Sequence, residues 1–298
     1  MGRAIVNGAA TILNAIATWK GSAFGIDLKT TAEVELEVSS SSSVSSSGSG
    51  SSSGSFSGSS SGRIIGDIPG VDTRLVVRCV ELVLERFNLI YEGKVRTSSE
   101  IPVASGLKSS STAANAAVLA TLDAIGETLD LVEAAKIGVE AAMDVGVTIT
   151  GALDDALASI LGGVVVTDNR TMQLLKRDVI ESDVLLLVPE KMLFSKDTDV
   201  GRSRLVAPLA DLAFDLAMKG EYGRAMTLNG FIYCGALGLS SEPMLEALEA
   251  GAWGASLSGT GPSYAALIDS DRIDGLAKVW NEHCGRVIRT RVNNKSAL

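Results

Sequence analysis

Between residues 32 and 38 apolar and acidic side chains alternate without a break: Ala32, Glu33, Val34, Glu35, Leu36, Glu37, Val38. A period of two sends successive side chains to opposite faces, so the stretch predicts a half-buried strand. Elsewhere a helical period takes over. Asp72 and Thr73 stand as caps before a segment running to about Phe87, with Leu75, Val76, Cys79, Val80, Val83 and Leu84 on one side. Residues 131–145 predict another helix, and residues 109–125 an Ala-rich one anchored by Val118, Leu119 and Leu122. Short aliphatic or β-branched runs at 163–167, 184–188 and 264–268 predict buried strands, with a further strand at 286–291. The second half thus reads as strand, two or three helices, strand, helix, strand, which suits a split β-α-β sandwich. A domain boundary near residue 180 follows, separating 1–180 from 181–298.

Residues 39–62 break both patterns, being serine and glycine except for Val44 and Phe56. Such a composition buries too little apolar area to offset chain entropy, so it predicts a flexible loop. Coming straight after a strand, it reads as the long connection of a hairpin before it reads as a domain boundary.

Composition sharpens the class. The 298 residues are 46% hydrophobic but only 4% aromatic, the mark of small-residue cores in which helices pack closely on a sheet. A net charge of −9 argues against a nucleic-acid partner, although two or three local cations suffice for an anionic metabolite. Cys79, Cys234 and Cys284 are far apart and form no CxxC pair, so a structural zinc site is not expected. His283 is the one histidine and reads as a surface residue, which disfavours chemistry built on a histidine base. No apolar run approaches the ~18 residues of a membrane span and no signal-peptide pattern opens the chain, so a soluble cytoplasmic protein is expected.

Three segments carry candidate chemistry. In the first, Pro102, Val103, Ala104, Ser105, Gly106 and Leu107 shape a turn, and Lys108, Ser109, Ser110, Ser111 and Thr112 then open the Ala-rich helix. The first turn of a helix leaves N–H groups unpaired at the positive end of its dipole, where phosphate oxygens bind well. The order of residues is not that of a Walker A loop. In the second, Thr150, Gly151, Ala152, Leu153, Asp154 and Asp155 set two carboxylates after a glycine turn, followed by Gly162 and Gly163. One of the pair is expected to cap a short helix and the other to hold a metal or take a proton from a hydroxyl. In the third, Ser258, Gly259, Thr260, Gly261 and Pro262 form a tight turn between strand-like runs, exposing N–H groups to an anion.

In this order and spacing the three segments resemble the GHMP kinases, the superfamily of galactokinase, homoserine kinase, mevalonate kinase and phosphomevalonate kinase. Residues 102–112 match the family's phosphate loop, P-x-x-x-G-L-[GS]-S-S-[AS]-[AST], apart from Lys108. Gly259, Thr260, Gly261 and Pro262 resemble its C-terminal Gly-rich loop. Within the superfamily, residues 14–25, 105–111, 150–156 and 256–264 are most similar to the archaeal shikimate kinases.

The resemblance implies an α+β, two-domain GHMP kinase fold. Its N-terminal domain would be ribosomal protein S5 domain 2-like and its C-terminal domain ferredoxin-like, with ATP in the cleft between them. It implies a cytoplasmic, magnesium-dependent transferase of the shikimate pathway of aromatic amino-acid biosynthesis, making ADP and 3-phosphoshikimate from ATP and shikimate. ATP contacts are implied for residues 102–111 (Pro102, Val103, Ala104, Ser105, Gly106, Leu107, Lys108, Ser109, Ser110, Ser111) and for Gly259, Thr260 and Gly261. Ser110 or Ser111 would reach Mg²⁺. Counting back from Gly162 and Gly163 favours Asp155 over Asp154 as the acting carboxylate. Lys20, Arg170, Arg202 and Arg204 are the candidates for the substrate carboxylate. Lys108 stands where the family has a small residue, which argues against a left-handed backbone there. No lysine precedes Lys20 to take the place of the early lysine of mevalonate kinases. The alternatives are another small-molecule kinase of the homoserine or mevalonate type, and a non-catalytic nucleotide-binding regulator.

Overall fold

The alternating segment belongs to the longest strand, β2 (Lys20–Val38), which pairs antiparallel with β1 (Gly2–Leu13) along one edge. The computed structural model describes residues 1–38, 62–68, 70–102, 105–190 and 198–297. The other edge of β2 is shared: its start pairs with β5 (Val164–Asp168) and its end with β4 (Tyr91–Ser99). β3 (Ile64–Gly66) lies parallel to β4, and β6 (Gln173–Asp178) pairs with β5 to complete a six-stranded sheet.

The strands on either side of the Ser/Gly tract are therefore not hairpin partners, as the sequence suggested, because β4 lies between them. β4 matches the stretch from Thr30 to Val38 residue for residue, whereas β3 has only three residues to offer. The tract itself, up to residue 61, lies outside the described residues.

Four helices back this sheet: α1 (Arg74–Arg86), α2 (Ser109–Ile125), α3 (Leu131–Asp144) and α4 (Leu153–Leu161). The alanines of α2 let it lie almost on the strands. A Cβ added to Gly2 of β1 would sit 2.2 Å from the Ala120 carbonyl oxygen. Close approach of this kind is what small residues in place of aromatics allow.

The second half builds a four-stranded antiparallel sheet from β7 (Asp183–Pro189), β8 (Gly254–Leu257), β9 (Tyr264–Ile268) and β10 (Gly285–Arg291). Their spatial order, β10-β7-β9-β8, is the 4-1-3-2 arrangement of a ferredoxin-like sheet. Between β7 and β8 the described residues hold four helices, one more than the sequence suggested: α5 (Val200–Leu205), α6 (Ala207–Met218), α7 (Tyr222–Leu237) and α8 (Glu242–Glu249). α9 (Ile273–Trp280) precedes β10. Strand β8 is the strand-like run expected before the Ser258–Pro262 turn, but Gly254, Ala255 and Ser256 carry too little apolar signal to give its bounds.

Strand alternation divides the core. Val165 faces the layer of α1 to α4, while Val164 and Val166 turn to a second cluster containing Val184, Leu186, Ala265 and Leu267 of the other sheet. That second cluster joins the two sheets. Leu185, Leu187 and Ala266 face a third cluster with Trp280, Tyr233 and Met244. After β10 the chain returns to the first sheet: Asn293 donates its N–H to the Gly25 carbonyl at 2.9 Å and accepts from Gly163 N–H at 2.8 Å. Residues 292–297 thus pack with the first sheet although they follow the second.

Smaller expectations change too. Thr73 is the N-cap of α1 but makes no side-chain cap bond, whereas Asp72 accepts the Arg74 N–H at 3.1 Å and also grips the Arg74 side chain. His283 is not a free surface residue but pairs with Glu246 of α8 at 2.7 Å. Among the described residues no helix is long and apolar enough to cross a membrane.

Candidate active site

The site begins with Leu107. Its side chain is fully buried in the cluster between the sheets, and the backbone on both sides bends to let it in: φ is +82° at Gly106 and +65° at Lys108. The left-handed conformation argued against at Lys108 is therefore the one it adopts. An anchored Leu107 outweighs the ~1 kcal/mol that such a conformation costs a residue with a Cβ. Lys108 caps α2 with its carbonyl, which accepts from Thr112 N–H at 3.0 Å and from the Thr112 hydroxyl at 2.9 Å.

The turn between β8 and β9 rests directly on this loop. Ser258 Oγ donates to the Gly106 carbonyl at 2.8 Å, and Ser263 N–H donates to the Ser105 carbonyl at 3.2 Å. A Cβ at Gly106 would meet the Ser258 carbonyl at 2.3 Å, so only glycine permits the two turns to touch. The end of β1 pins the turn from the other side. Thr11 Oγ1 accepts from Gly259 N–H at 2.8 Å, and Asn14 Nδ2 donates to the Gly259 carbonyl at 2.9 Å.

Helix α4 brings the carboxylates. It starts from Ala152, itself left-handed with φ +51°, and no side chain caps it. The capping role expected for one aspartate is not found. Asp154 and Asp155 lie inside the first turn, where the helix dipole favours negative charge, and their side chains leave in two directions. Asp155 Oδ1 lies 3.0 Å from Lys108 Nζ, with only 11% and 10% of the two side chains exposed. Asp154 Oδ1 accepts from Asn169 Nδ2 at 2.8 Å, and its carboxylate packs where Gly21 of β2 has no side chain. A buried crosslink fixes α4 against α2: Asn115 Nδ2 donates to the Ala156 carbonyl at 2.8 Å and to Ser159 Oγ at 2.7 Å.

Burial disfavours both ionised carboxylates. Asp154 is pushed up to about 7 by burial and by the charge of Asp155, against the opposing pull of Lys108 and the Asn169 hydrogen bond. Burial also raises Asp155, while the Lys108 ammonium pulls it back. Lys108 Nζ is shared between the two turns as well, since a Cβ at Gly259 would lie 3.0 Å from it.

The structure therefore gathers Ser105, Gly106, Leu107, Lys108, Asp155 and Gly259 at one place, with Ser109, Ser110 and Ser111 following on the first turn of α2. Pro102 is tied in through its carbonyl, which accepts from Ser105 Oγ at 2.7 Å, and Gly261 N–H donates to the Ser258 carbonyl at 2.9 Å. Thr260 is buried in the same turn. Val103 and Ala104 lie outside the described residues. Of the four candidate cations, Lys20 adjoins Gly21 but is held by Asp211 at 2.8 Å, with its Nζ 4.7 Å from the centre of the Phe214 ring. Arg170 follows Asn169 and lies 5.9 Å over the Trp19 ring. Arg202 and Arg204 are exposed on the short helix α5 and touch none of these residues. Thr11, Asn14 and Asn169 were not singled out from the sequence as site residues. Asn14 stood within a run matched to the family, but nothing in the pattern marked Asn169.

A glycine-bound turn opening a helix, a cation at its cap, a buried carboxylate against that cation and a second glycine turn resting on the first are the arrangement expected of a small-molecule kinase. Comparison with known proteins gives the family. GHMP kinases N terminal domain matches residues 74–163 and GHMP kinases C terminal matches residues 216–286. The chain belongs to the GHMP kinases, which makes it an ATP-dependent small-molecule kinase. It is 56% identical to a shikimate kinase of Methanothrix thermoacetophila, over 99% of this chain and 95% of that protein. It is 57% identical to a shikimate kinase of Methanosarcina mazei, over 100% and 96%. Among solved structures, the Methanococcus jannaschii mevalonate kinase shares the fold with a TM-score of 0.72 at 16% identity, covering 97% of this chain and 98% of that one.

Proposed function

We propose that this kinase phosphorylates shikimate, giving ADP and 3-phosphoshikimate, and so serves aromatic amino-acid biosynthesis in the cytoplasm. The observation that carries the reading is similarity above 55% along the whole chain to proteins named shikimate kinase, joined to an intact carboxylate–lysine pair at the phosphate loop. A purely regulatory nucleotide binder has no use for a buried Asp155. The division into a nucleotide-binding unit, 1–180, and a second unit, 181–298, belongs to the same proposal.

The residues present fit a triphosphate. The N-terminal turn of α2 offers the N–H groups of Ser109, Ser110 and Ser111, and Lys108 adds a full charge beside them. The turn around Gly259 and Gly261 rests against the same loop, beside Lys108 Nζ. Among the described residues no three acidic, histidine or cysteine side chains gather into a metal cage. Mg²⁺ keeps waters and phosphate oxygens as most of its ligands, and a hydroxyl of Ser110 or Ser111 would complete the set. When bound, ATP supplies the phosphoryl group and Mg²⁺ neutralises its charge. The protein's part is to position and to stabilise charge. Asp155 orients the substrate hydroxyl and receives its proton, Lys108 holds Asp155 and faces the phosphates, and Lys20 or Arg170, the chain neighbours of Gly21 and Asn169, meets the substrate carboxylate.

A coupled ADP-release assay over shikimate, homoserine and mevalonate tests the reading. Shikimate should give a kcat/KM at least ~100-fold above the others, because a site built for a carboxylate and ring hydroxyls leaves polar groups unpaired with the wrong substrate. Turnover of homoserine or mevalonate without shikimate would overturn it.

A further inference from the structure

Asn169 follows strand β5, is 3% exposed, and lies within hydrogen-bonding reach of three polar side chains. Thr167 Oγ1 donates to Asn169 Oδ1 at 2.7 Å, which commits the amide oxygen and turns Nδ2 toward α4. Nδ2 then donates to Asp154 Oδ1 at 2.8 Å, with Thr150 Oγ1 a distant second partner at 3.5 Å. The Asn169 backbone N–H is itself fixed by the Trp19 carbonyl at 2.8 Å. The amide is thus locked at both ends, and its one strong side-chain donor bond goes to the carboxylate adjoining Asp155.

We propose that Asn169 is a positioning residue for phosphoryl transfer: its N–H holds Asp154 against β2, so that Asp155 alone is left to Lys108 and the substrate hydroxyl. This rests on the reading of Asp155 given above. Asp154 and Asp155 stand on consecutive residues, and Lys108 pairs with Asp155 at 3.0 Å. A neutral donor on Asp154 keeps the second carboxylate turned away from that pair without adding a charge. The charged and titratable groups facing Asp154 are Asp155 on its own helix, Lys108 at the start of α2 and Tyr233 on α7. None of these can replace the amide donor without leaving its own partner.

The decisive variant is Asn169→Asp, which keeps the shape and loses the N–H. At low pH the introduced carboxyl carries a proton and can donate it to Asp154; once ionised it cannot. The variant's kcat should lie within ~3-fold of the parent at pH 5.5 and fall at least ~10-fold below it by pH 8.5, the scale of losing a hydrogen bond to a charged group. Asn169→Ala should lose ~10-fold in kcat above about pH 7, where Asp154 is ionised, while the KM for ATP stays within ~2-fold. Asp155→Asn is assayed alongside. If it stays active, the reading of Asp155 fails; if it is dead while Asn169→Asp tracks the parent across pH, only the role of Asn169 fails. Far-UV circular dichroism is recorded at each pH. A variant that melts where it was expected to slow would assign Asn169 to the fold alone and overturn the proposal.

Discussion

At its N-terminal end α4 carries two buried carboxylates; at its C-terminal end it meets Arg177 and residues 294–297. A helix leaves N–H groups unpaired at one end and carbonyls at the other, with opposite partial charges. The C-terminal carbonyls are satisfied outright. Ala297 N–H donates to the Ile160 carbonyl at 2.7 Å, and Arg177 donates to those of Leu161 and Gly162 at 2.6 and 3.0 Å. The N-terminal end is left electrostatically loaded: Asp154 and Asp155 are buried with one lysine and one amide between them. The satisfied end anchors the helix, and the loaded end holds the groups with chemistry to do. Substitutions at the first should therefore change stability, and substitutions at the second should change rate.

Asp155→Asn should give the largest effect, a loss of roughly 10²-fold or more in kcat, the scale of losing a general base. The KM for ATP should move much less, because the proposed site holds the triphosphate through Lys108 and the N–H groups of α2. Steady-state kinetics at saturating ATP separates the two parameters, and near-normal kcat would dissolve the contrast between the ends. Lys108→Met comes next. It removes a charge that pairs with Asp155 and, in the proposed site, faces the phosphates, so kcat/KM for ATP should fall ~10–100-fold, with kcat and KM both affected. An effect on KM alone would separate Lys108 from the carboxylate.

Much of this contrast was legible in the sequence at its loaded end. The glycine turn before Asp154 and Asp155 and the Pro/Gly/Ser loop before α2 are local patterns, and local patterns survive in one dimension. That the two face each other was available only through the family resemblance, since 46 residues separate Lys108 from Asp154. The left-handed Lys108 is not legible from its own Cβ, because the buried Leu107 dictates the turn. Asn169 and Arg177 were invisible for a related reason: each acts on a carbonyl or carboxylate of another element. The Gly162–Gly163 pair was noticed as a counting mark, and its physical cause is tertiary. A Cβ at Gly162 would meet the Lys295 carbonyl at 2.6 Å, and one at Gly163 the Asp178 carbonyl at 2.4 Å.

Asp154→Asn tests the loaded end through stability. In the folded protein Asp154 holds its proton up to about pH 7, whereas in an unfolded chain an aspartate ionises near 4. Between those values the folded state binds more protons than the unfolded state, so this group makes stability fall as pH rises through that window, and flat above it. The variant, which does not titrate, should lose that slope. Measured by urea unfolding, it should gain up to about 2–3 kcal/mol on the parent between pH 5 and pH 8. Parallel pH profiles for the two proteins would mean that Asp154 is already ionised in the fold.

Arg177→Ala should give the smallest effect and the cleanest contrast. The guanidinium donates to the carbonyls of Leu161 and Gly162 and, at 3.3 Å, to that of Asn294, so it ties α4 to the returning segment. A cation at a helix C-terminus also meets the negative end of the dipole. Arg177 is exposed, however, and water can take over the carbonyls it leaves. The loss should be about 1 kcal/mol, or a few degrees in Tm, rather than the full cost of orphaned buried groups. Ala297 N–H still holds Ile160, and the Asn115 crosslink still fixes the first turn against α2. The carboxylates should therefore stay in place, with kcat and both KM values within ~2-fold of the parent at 25 °C. A fall in kcat at temperatures well below the melt would show that the far end of α4 also sets the position of Asp155, and that the division between anchoring end and reacting end is too sharp.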